Sequence, residues 1–121
     1  MPWQFNSREA VYLQIANRLR ERILAGEYPP DSQIPSVRQL ATEAAVNPNT
    51  MQKALLYLEE EGILAAQGTL GRFVTSDTEI LEKAKTALKE QAMRDWLAQA
   101  KSLGITKEEL IAFITKEAER K

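Results

Sequence analysis

The chain has 121 residues, a net charge of −1 and 44% hydrophobic residues, which is ordinary for one small globular core with an appendage. It contains neither cysteine nor histidine, which excludes a disulfide framework, a thiolate metal site and histidine-based acid–base catalysis. The sequence shows no secretory leader and no apolar run long enough to span a bilayer. We therefore expect a cytoplasmic protein without a membrane partner.

The first predicted helix begins after Asn6, whose side chain is expected to cap it, with Glu9 three positions further on. Apolar residues then recur at helical spacing from Val11 to Leu24. Gly26 is expected to end this helix, because glycine readily adopts the left-handed conformation that follows a helix. The three prolines of the next stretch, EYPPDSQIP, prevent the helix from continuing.

Two helices are predicted to follow in close succession. Ser36 and Gln39 form a capping box at the start of the second helix, which should run from Val37 to about Ala44. Asn47 is expected to cap the third helix, whose first position is Pro48. Proline suits that position because its missing N–H would have no partner within the helix and its φ is already helical.

A short hairpin is predicted after Gly62, which should end the third helix. The strands are expected from Ile63 to Ala66 and from Arg72 to Thr75, joined by the glycine-containing loop QGTLG. Three helices followed by a hairpin is the layout of a winged helix-turn-helix. The predicted fold class is therefore α+β and mostly helical, with residues 1–75 as the winged helix-turn-helix domain.

The remaining residues, 76–121, are predicted to form a second part of two helices. Ser76 and Glu79 form a capping box ahead of a long helix that Gly104 should end, and Thr106 should cap the last helix. Their apolar stripe is too large for one thin helix to hide, so it must fold back on the domain or pair with a second chain. The predicted dimerisation surface consists of Ile80, Ala84, Leu88, Trp96, Leu103 and Phe113.

Neutral hydrogen-bonding residues are concentrated at the start of the third helix, where Asn49, Thr50 and Gln52 precede Lys53. In a helix-turn-helix this helix lies in the DNA major groove, and its first residues meet base edges. Asparagine and glutamine can donate and accept there together. The acidic isoelectric point, about 5.6, counts against this interpretation. However, Ser32–Tyr57 contains two basic residues and one acidic residue, so the proposed face is not acidic.

A series of motifs in this order resembles the GntR family of bacterial transcription regulators. The motifs are VYLQI (11–15), Gly26, IPSVRQLA (34–41), VNPNT (46–50), AL (54–55), LEEEGIL (58–64) and GRFV (71–74). VNPNT and the short helical tail resemble the YtrA subfamily, in which two C-terminal helices for dimerisation replace a large effector-binding domain. The resemblance implies a homodimeric repressor that binds an operator in double-stranded DNA, often of transporter genes, and needs no cofactor.

Carried over to this sequence, the family pattern implies that Ser36 and Arg38 contact phosphate and bases. It likewise implies contacts from the start of the third helix and from the wing, as the hairpin is called. This chain departs from much of the wider family at Pro48, where an arginine is common, so the resemblance does not carry that arginine's base contact over to this chain. The predicted DNA-binding residues are Ser36, Arg38, Asn49, Thr50, Gln52, Lys53, Gly71 and Arg72.

Two other classes of function compete with DNA binding. A winged-helix module that binds another protein and never DNA is the alternative, because the fold alone does not decide between them. An enzyme is not expected, because the sequence offers no phosphate-loop pattern and no carboxylate pair on an apolar cleft. The sequence leaves open whether a small-molecule effector exists.

Overall fold

The computed structural model describes residues 3–120, which form five helices and one two-stranded antiparallel sheet. The elements are α1 (Val11–Leu24), α2 (Val37–Ala44), α3 (Pro48–Glu60), β1 (Leu64–Ala66), β2 (Arg72–Val74), α4 (Thr78–Ser102) and α5 (Lys107–Ala118). Two compact units are present, and the boundary between them falls within α4, after Ala84. The predicted fold class, α+β and mostly helical with a winged helix-turn-helix, is confirmed.

The start of α1 differs from the prediction, because the helix begins at Val11 and Asn6 does not cap it. The Asn6 side chain instead accepts a hydrogen bond from the backbone N–H of Arg8, at 2.9 Å. The Gln14 side chain donates to the carbonyl oxygens of Asn6 and Glu9, at 2.9 and 2.8 Å. The side-chain amide of Gln14 therefore binds carbonyl oxygens that backbone N–H groups would bind in a helical turn.

The α2–α3 pair forms as predicted, because its signals are local. The Ser36 hydroxyl oxygen accepts from the backbone N–H of Gln39 at 3.1 Å, and the Gln39 side chain accepts from that of Ser36 at 2.9 Å. The Asn47 side chain accepts from the N–H of Asn49 at 2.7 Å. Ala45, in the turn between the helices, adopts a left-handed conformation with φ of +58°.

The core of the first unit lies between α1, α2, α3 and the hairpin. Its largest fully buried side chains are Ile15, Leu19, Leu40, Met51, Leu55, Leu58 and Val74. Burying one side chain of this size stabilises a fold by about 1.5–3 kcal/mol. Because the apolar residues of α3 recur every three or four positions, this helix buries one face and leaves the opposite face exposed.

The hairpin, here called the wing (residues 64–74), has a short antiparallel register in which Leu64 pairs with Val74. Its strands agree with the predicted ones to within one residue at each end. A third segment extends the pairing: Ile34 donates its backbone N–H to the carbonyl oxygen of Arg72 at 3.0 Å. Gln33, next to it, forms an antiparallel bridge with Phe73. The loop before α2 therefore lies along β2.

The start of α4 also differs from the prediction, because Asp77 takes the capping role assigned to Ser76. The Asp77 carboxylate accepts from the backbone N–H groups of Glu79 at 3.0 Å and Ile80 at 3.4 Å. A carboxylate placed directly before Thr78, the first residue of α4, satisfies the free N–H groups and suits the positive end of the helix. The Ser76–Glu79 capping box does not form.

The first turns of α4 belong to the first unit, because Ile80, Leu81 and Ala84 pack against its core. This unit therefore extends beyond residue 75. In the second unit Thr106 caps α5 as predicted and forms a capping box with Glu109, with hydrogen bonds of 3.1 and 2.9 Å. None of the helices described is both long and apolar enough to cross a membrane.

Candidate nucleic-acid interface

Two helix starts carry most of the predicted DNA-binding residues, and both are accessible. At the start of α2, Ser36 and Arg38 are exposed. On the first turns of α3, Asn49 and Gln52 are exposed and Thr50 is half-buried. The cap at Ser36 leaves its hydroxyl proton free, because the oxygen accepts the hydrogen bond from Gln39. The hydroxyl can therefore donate to an acceptor outside the chain.

The cations on these two helices have no carboxylate partner. Across residues 3–120, Arg38 and Lys53 are absent from the ion pairs, all of which involve other arginines. The Lys53 ammonium lies 4.2 Å from the centre of the Tyr12 ring on α1, a cation–π contact. Such a contact is worth about 0.5–1 kcal/mol at an exposed site and leaves the positive charge uncompensated.

Glu43, the one acidic residue between Ser32 and Tyr57, is bound within the protein. Glu43, on α2, accepts a hydrogen bond from Arg22 at 2.9 Å and another from the Trp3 indole at 3.1 Å. Arg22 also binds Glu27, and this hydrogen bond raises the pKa of the guanidinium far above its ordinary value. The same contact lowers the pKa of Glu27. The Glu43 carboxylate is therefore bound by Arg22 and Trp3, whereas Arg38 and Lys53 have no carboxylate partner.

The wing carries less charge than the sequence indicated. Arg72 donates from Nε to a carboxylate oxygen of Glu59, at 3.0 Å, and the two side chains are only 15% and 21% exposed. Its charge is therefore compensated by α3. Gly71 is exposed and has φ of +121°, a conformation that favours glycine.

An open groove of about 510 Å³ brings part of the wing together with the start of α2. Ser36 and Gln39 line it from α2, and Leu70, Gly71 and Arg72 line it from the wing. The predicted residues of α3 are not among the described residues that line this groove. The site thus consists of two parts, the exposed face of α3 and the groove beside α2.

Gln33 is a residue of this groove that sequence reasoning missed. Its side chain donates to the carbonyl oxygen of Leu70 at 2.5 Å. No motif marks Gln33, because its role depends on a bridge between segments that lie far apart in the chain. Among the described residues, no group of three or more acidic side chains could hold a metal ion.

The residues predicted for dimerisation fall into two groups. Ile80 and Ala84 are half-buried against the core of the first unit. In the second unit Trp96, Leu103 and Phe113 are 69%, 72% and 62% exposed, and Leu88 is half-buried. Most of the exposed large apolar side chains described therefore lie in the second unit.

Three packed helices, a capped α2–α3 pair and a wing define a winged helix-turn-helix, a fold typical of DNA-binding regulators. Residues 11–74 match the family of bacterial regulatory proteins called the gntR family. The chain belongs to the GntR family. The expectation that it is not an enzyme is confirmed, because its relatives are named as transcriptional regulators.

Two relatives from Bacillus subtilis are similar along most of both chains. The uncharacterized regulator YhcF is 36% identical over 89% of this chain and 89% of its own length. The transcriptional repressor YtrA is 34% identical over 89% of this chain and 84% of its own length. The similarity to YtrA supports the YtrA subfamily.

Solved structures agree with the fold. A GntR family transcriptional regulator from Listeria monocytogenes has a TM-score of 0.81 at 32% identity and covers 93% of this chain and 98% of its own. The DNA-binding domain of AraR in complex with operator ORR3 has a TM-score of 0.55 at 27% identity. That match covers 62% of this chain and 90% of the AraR domain.

Proposed function

We propose that this protein is a sequence-specific transcriptional repressor that binds an inverted-repeat operator as a homodimer. The observation that carries the proposal is the pair of uncompensated cations, Arg38 and Lys53, on the exposed first turns of α2 and α3. Cations without a carboxylate partner can bind phosphates, whereas Arg20, Arg22 and Arg72 are held in ion pairs on other elements of the first unit.

In this proposal α3 enters the major groove and reads base edges. Asn49 and Gln52 can each donate and accept at one base, and Thr50 offers a hydroxyl and a methyl group. Lys53 lies one position after Gln52 and contacts a phosphate from the same exposed face. The N-terminus of α3 adds the partial positive charge of the helix dipole, which favours the phosphate backbone.

The start of α2 binds the backbone beside this groove. Ser36 donates its free hydroxyl proton to a phosphate oxygen, and Arg38 contacts either a phosphate or a guanine. Gly71 allows the wing backbone to approach the DNA closely. Arg72 contributes indirectly, because its ion pair with Glu59 holds the base of the wing against α3. The AraR domain bound to its operator supports DNA as the partner.

Dimerisation is proposed through the second unit, where Trp96, Leu103 and Phe113 expose large apolar side chains. Leu88, Ile80 and Ala84 are more covered, so they contribute less surface. Two recognition helices related by a two-fold axis require inverted half-sites spaced by about one helical turn, ~34 Å, or a multiple of it. Linking the half-sites raises the apparent affinity of a subunit that has few cations.

The similarity to the repressor YtrA supports repression. The resemblance to the family implies transporter genes as the regulated targets. The alternative function, a protein-binding module without DNA binding, is not favoured. We assign the exposed apolar surface of the second unit to the second copy of the chain and not to a small-molecule effector.

The test is a selection of bound duplexes from a fragmented genomic library at moderate salt. The parent protein is compared with Arg38→Ala and with Arg120→Ala, a matched control that removes the same charge from the second residue after α5. Enrichment of one inverted repeat by the parent and the control, but not by Arg38→Ala, is expected. If none of the three proteins enriches a sequence, DNA readout fails and the protein-binding alternative replaces it.

A further inference from the structure

The tip of the wing, residues 67–71, is attached to the loop before α2 by one side chain. Gln33 Nε2 donates to the carbonyl oxygen of Leu70, at 2.5 Å. The backbone of the same loop is fixed along β2, because Asp31 donates to Val74 at 3.0 Å and Ile34 to Arg72 at 3.0 Å. Gln33 is therefore held on a rigid segment and transmits the position of that segment to the wing tip.

The Gln33 amide occupies the space beside Gly71. A Cβ atom on Gly71 would lie 2.9 Å from Gln33 Nε2, so the amide would have to shift from this position. Its φ of +121° also disfavours any side chain. Gln33 and Gly71 thus form a matched pair, in which the absence of a side chain on one residue admits the amide of the other.

Both backbone polar groups of Leu70 have hydrogen-bond partners, but its apolar side chain is not buried. Its N–H donates to the carbonyl oxygen of Gln67 at 2.9 Å, and its own carbonyl oxygen accepts from Gln33. The side chain, however, is 67% exposed and lies on the groove that Ser36 lines from α2. The hydrogen bonds thus hold a large apolar side chain in solvent, beside the proposed phosphate contact.

The wing tip carries no charge. Residues 63–71 contain no acidic or basic side chain, and the charge of Arg72 is compensated by Glu59. A contact from this tip to DNA therefore cannot release counterions as a lysine or arginine would. An apolar side chain contacts nucleic acid through sugars and base edges, as the apolar residues that enter minor grooves do.

We propose that Gln33 is a positioning residue for DNA binding, which holds the uncharged wing tip so that Leu70 contacts the minor groove next to the major groove occupied by α3. This inference rests on the proposed function. Because Leu70 is uncharged, its contact should raise operator affinity and leave the salt dependence of that affinity unchanged.

The experiment measures operator affinity over a range of salt for the full chain, Gln33→Met, Leu70→Ala and the double variant. Methionine has nearly the shape of glutamine but cannot donate the hydrogen bond. Gln33→Met is expected to weaken binding roughly two- to tenfold, the range that one hydrogen bond contributes, with an unchanged salt slope. Arg38→Ala is the contrasting control, because loss of one phosphate contact should reduce the slope by about 0.9.

The double variant separates positioning from a general loss of stability. If Gln33 acts through Leu70, then Gln33→Met should cost little further affinity once Leu70→Ala is present. Hydrogen exchange gives an independent readout: the Leu70 amide should lose protection in Gln33→Met, while the amides of α2 and α3 keep theirs. Thermal unfolding checks that every variant is folded.

The outcomes distinguish the two proposals. If the parent binds its operator and Gln33→Met binds equally well, or if the two substitutions are additive, the positioning role is wrong and the proposed function stands. A reduced salt slope in Leu70→Ala would also overturn it, because the substitution would then have cost a phosphate contact made by a cation elsewhere. If the parent binds no duplex at all, both proposals fail together.

Discussion

Arg72 on β2 and Glu59 on α3 form an ion pair of 3.0 Å that joins the base of the wing to the helix proposed to read DNA. Both side chains are mostly covered, at 15% and 21% exposure. A pair in this environment is not screened as a surface pair would be, and removal of one partner leaves the other poorly solvated. The pair also explains why the wing contributes no free cation to the proposed interface.

We expect Arg72→Ala to lower the free energy of unfolding by about 1–3 kcal/mol, because the Glu59 carboxylate is left without its charged donor. The double variant with Glu59→Ala should lose less than the sum of the two single variants. Urea unfolding of the four proteins measures this coupling. Salt-dependent DNA binding provides the second check: a slope reduced as much as that of Arg38→Ala would mean that Arg72 contacts phosphate directly.

Ser36 has two separable roles, as the cap of α2 and as a proposed phosphate contact. Ser36→Ala removes the acceptor for the Gln39 N–H and should lower the free energy of unfolding by about 0.5–2 kcal/mol. Ser36→Asp keeps a capping oxygen, so the protein should retain most of its stability. However, its negative charge faces the proposed DNA backbone, and binding should weaken on every duplex sequence.

Denaturant unfolding and binding to specific and random duplexes measure these two effects. The two variants control for each other. Ser36→Ala removes the cap without adding charge, whereas Ser36→Asp keeps the cap and adds a negative charge. Binding by Ser36→Asp that equals that of the parent would show that Ser36 does not lie near a phosphate.

Local signals explain which elements the sequence predicts correctly. The caps at Ser36, Asn47 and Thr106 form because each polar side chain meets an N–H only two or three residues away. Asn6 also accepts from an N–H two residues away, but no helix begins there, because Gln14 binds the carbonyl oxygens of Asn6 and Glu9 instead. The cap at Ser76 fails because the neighbouring carboxylate of Asp77 makes the hydrogen bonds of that helix start.

The candidate site shows the same division between local and distant contacts. Exposed positions on α3 follow from helical periodicity, so the face that carries Asn49 and Lys53 could be read from the sequence. The pairing of Arg72 with Glu59 and the hydrogen bond from Gln33 to Leu70 could not. Both contacts depend on how the wing packs beside the helices, which no periodic pattern specifies.

The capping box of α5 predicts a dependence of this helix on pH. Hydrogen bonds from the Thr106 backbone and side chain lower the pKa of Glu109 below its ordinary value. A carboxyl whose pKa is depressed on folding stabilises the helix fully above its unfolded value, about 4.3. That stabilisation is lost as the pH falls through the folded pKa. We therefore expect α5 to lose helicity when the protein is acidified below about pH 4.

NMR titration of the Glu109 carboxyl, together with the chemical shifts of α5, measures this effect. Glu109→Gln is the control, because glutamine can occupy the same capping position without titrating. Its α5 should keep the same helicity across the acidic range in which the parent loses it. A Glu109 midpoint at or above the ordinary value would contradict the predicted depression of its pKa.

The exposed aromatic residues of the second unit give a prediction about the proposed homodimer. Trp96 is 69% exposed, and burying a large apolar side chain against a second copy contributes about 1.5–3 kcal/mol. Trp96→Glu should therefore shift the dimer toward monomer while each monomer stays folded. Because the two half-sites are then bound independently, affinity for the inverted repeat should fall roughly a hundredfold or more, with little change on a single half-site.

Sedimentation velocity measures the oligomeric state, and titration of duplexes with one or two half-sites measures the loss of linkage. Thr86→Glu places the same charge at an exposed polar position of α4 and should leave both properties unchanged. A Trp96→Glu protein that still sediments as a dimer would remove this residue from the interface. A monomeric variant with undiminished affinity for the inverted repeat would instead mean that each subunit recognises its half-site without help from the other.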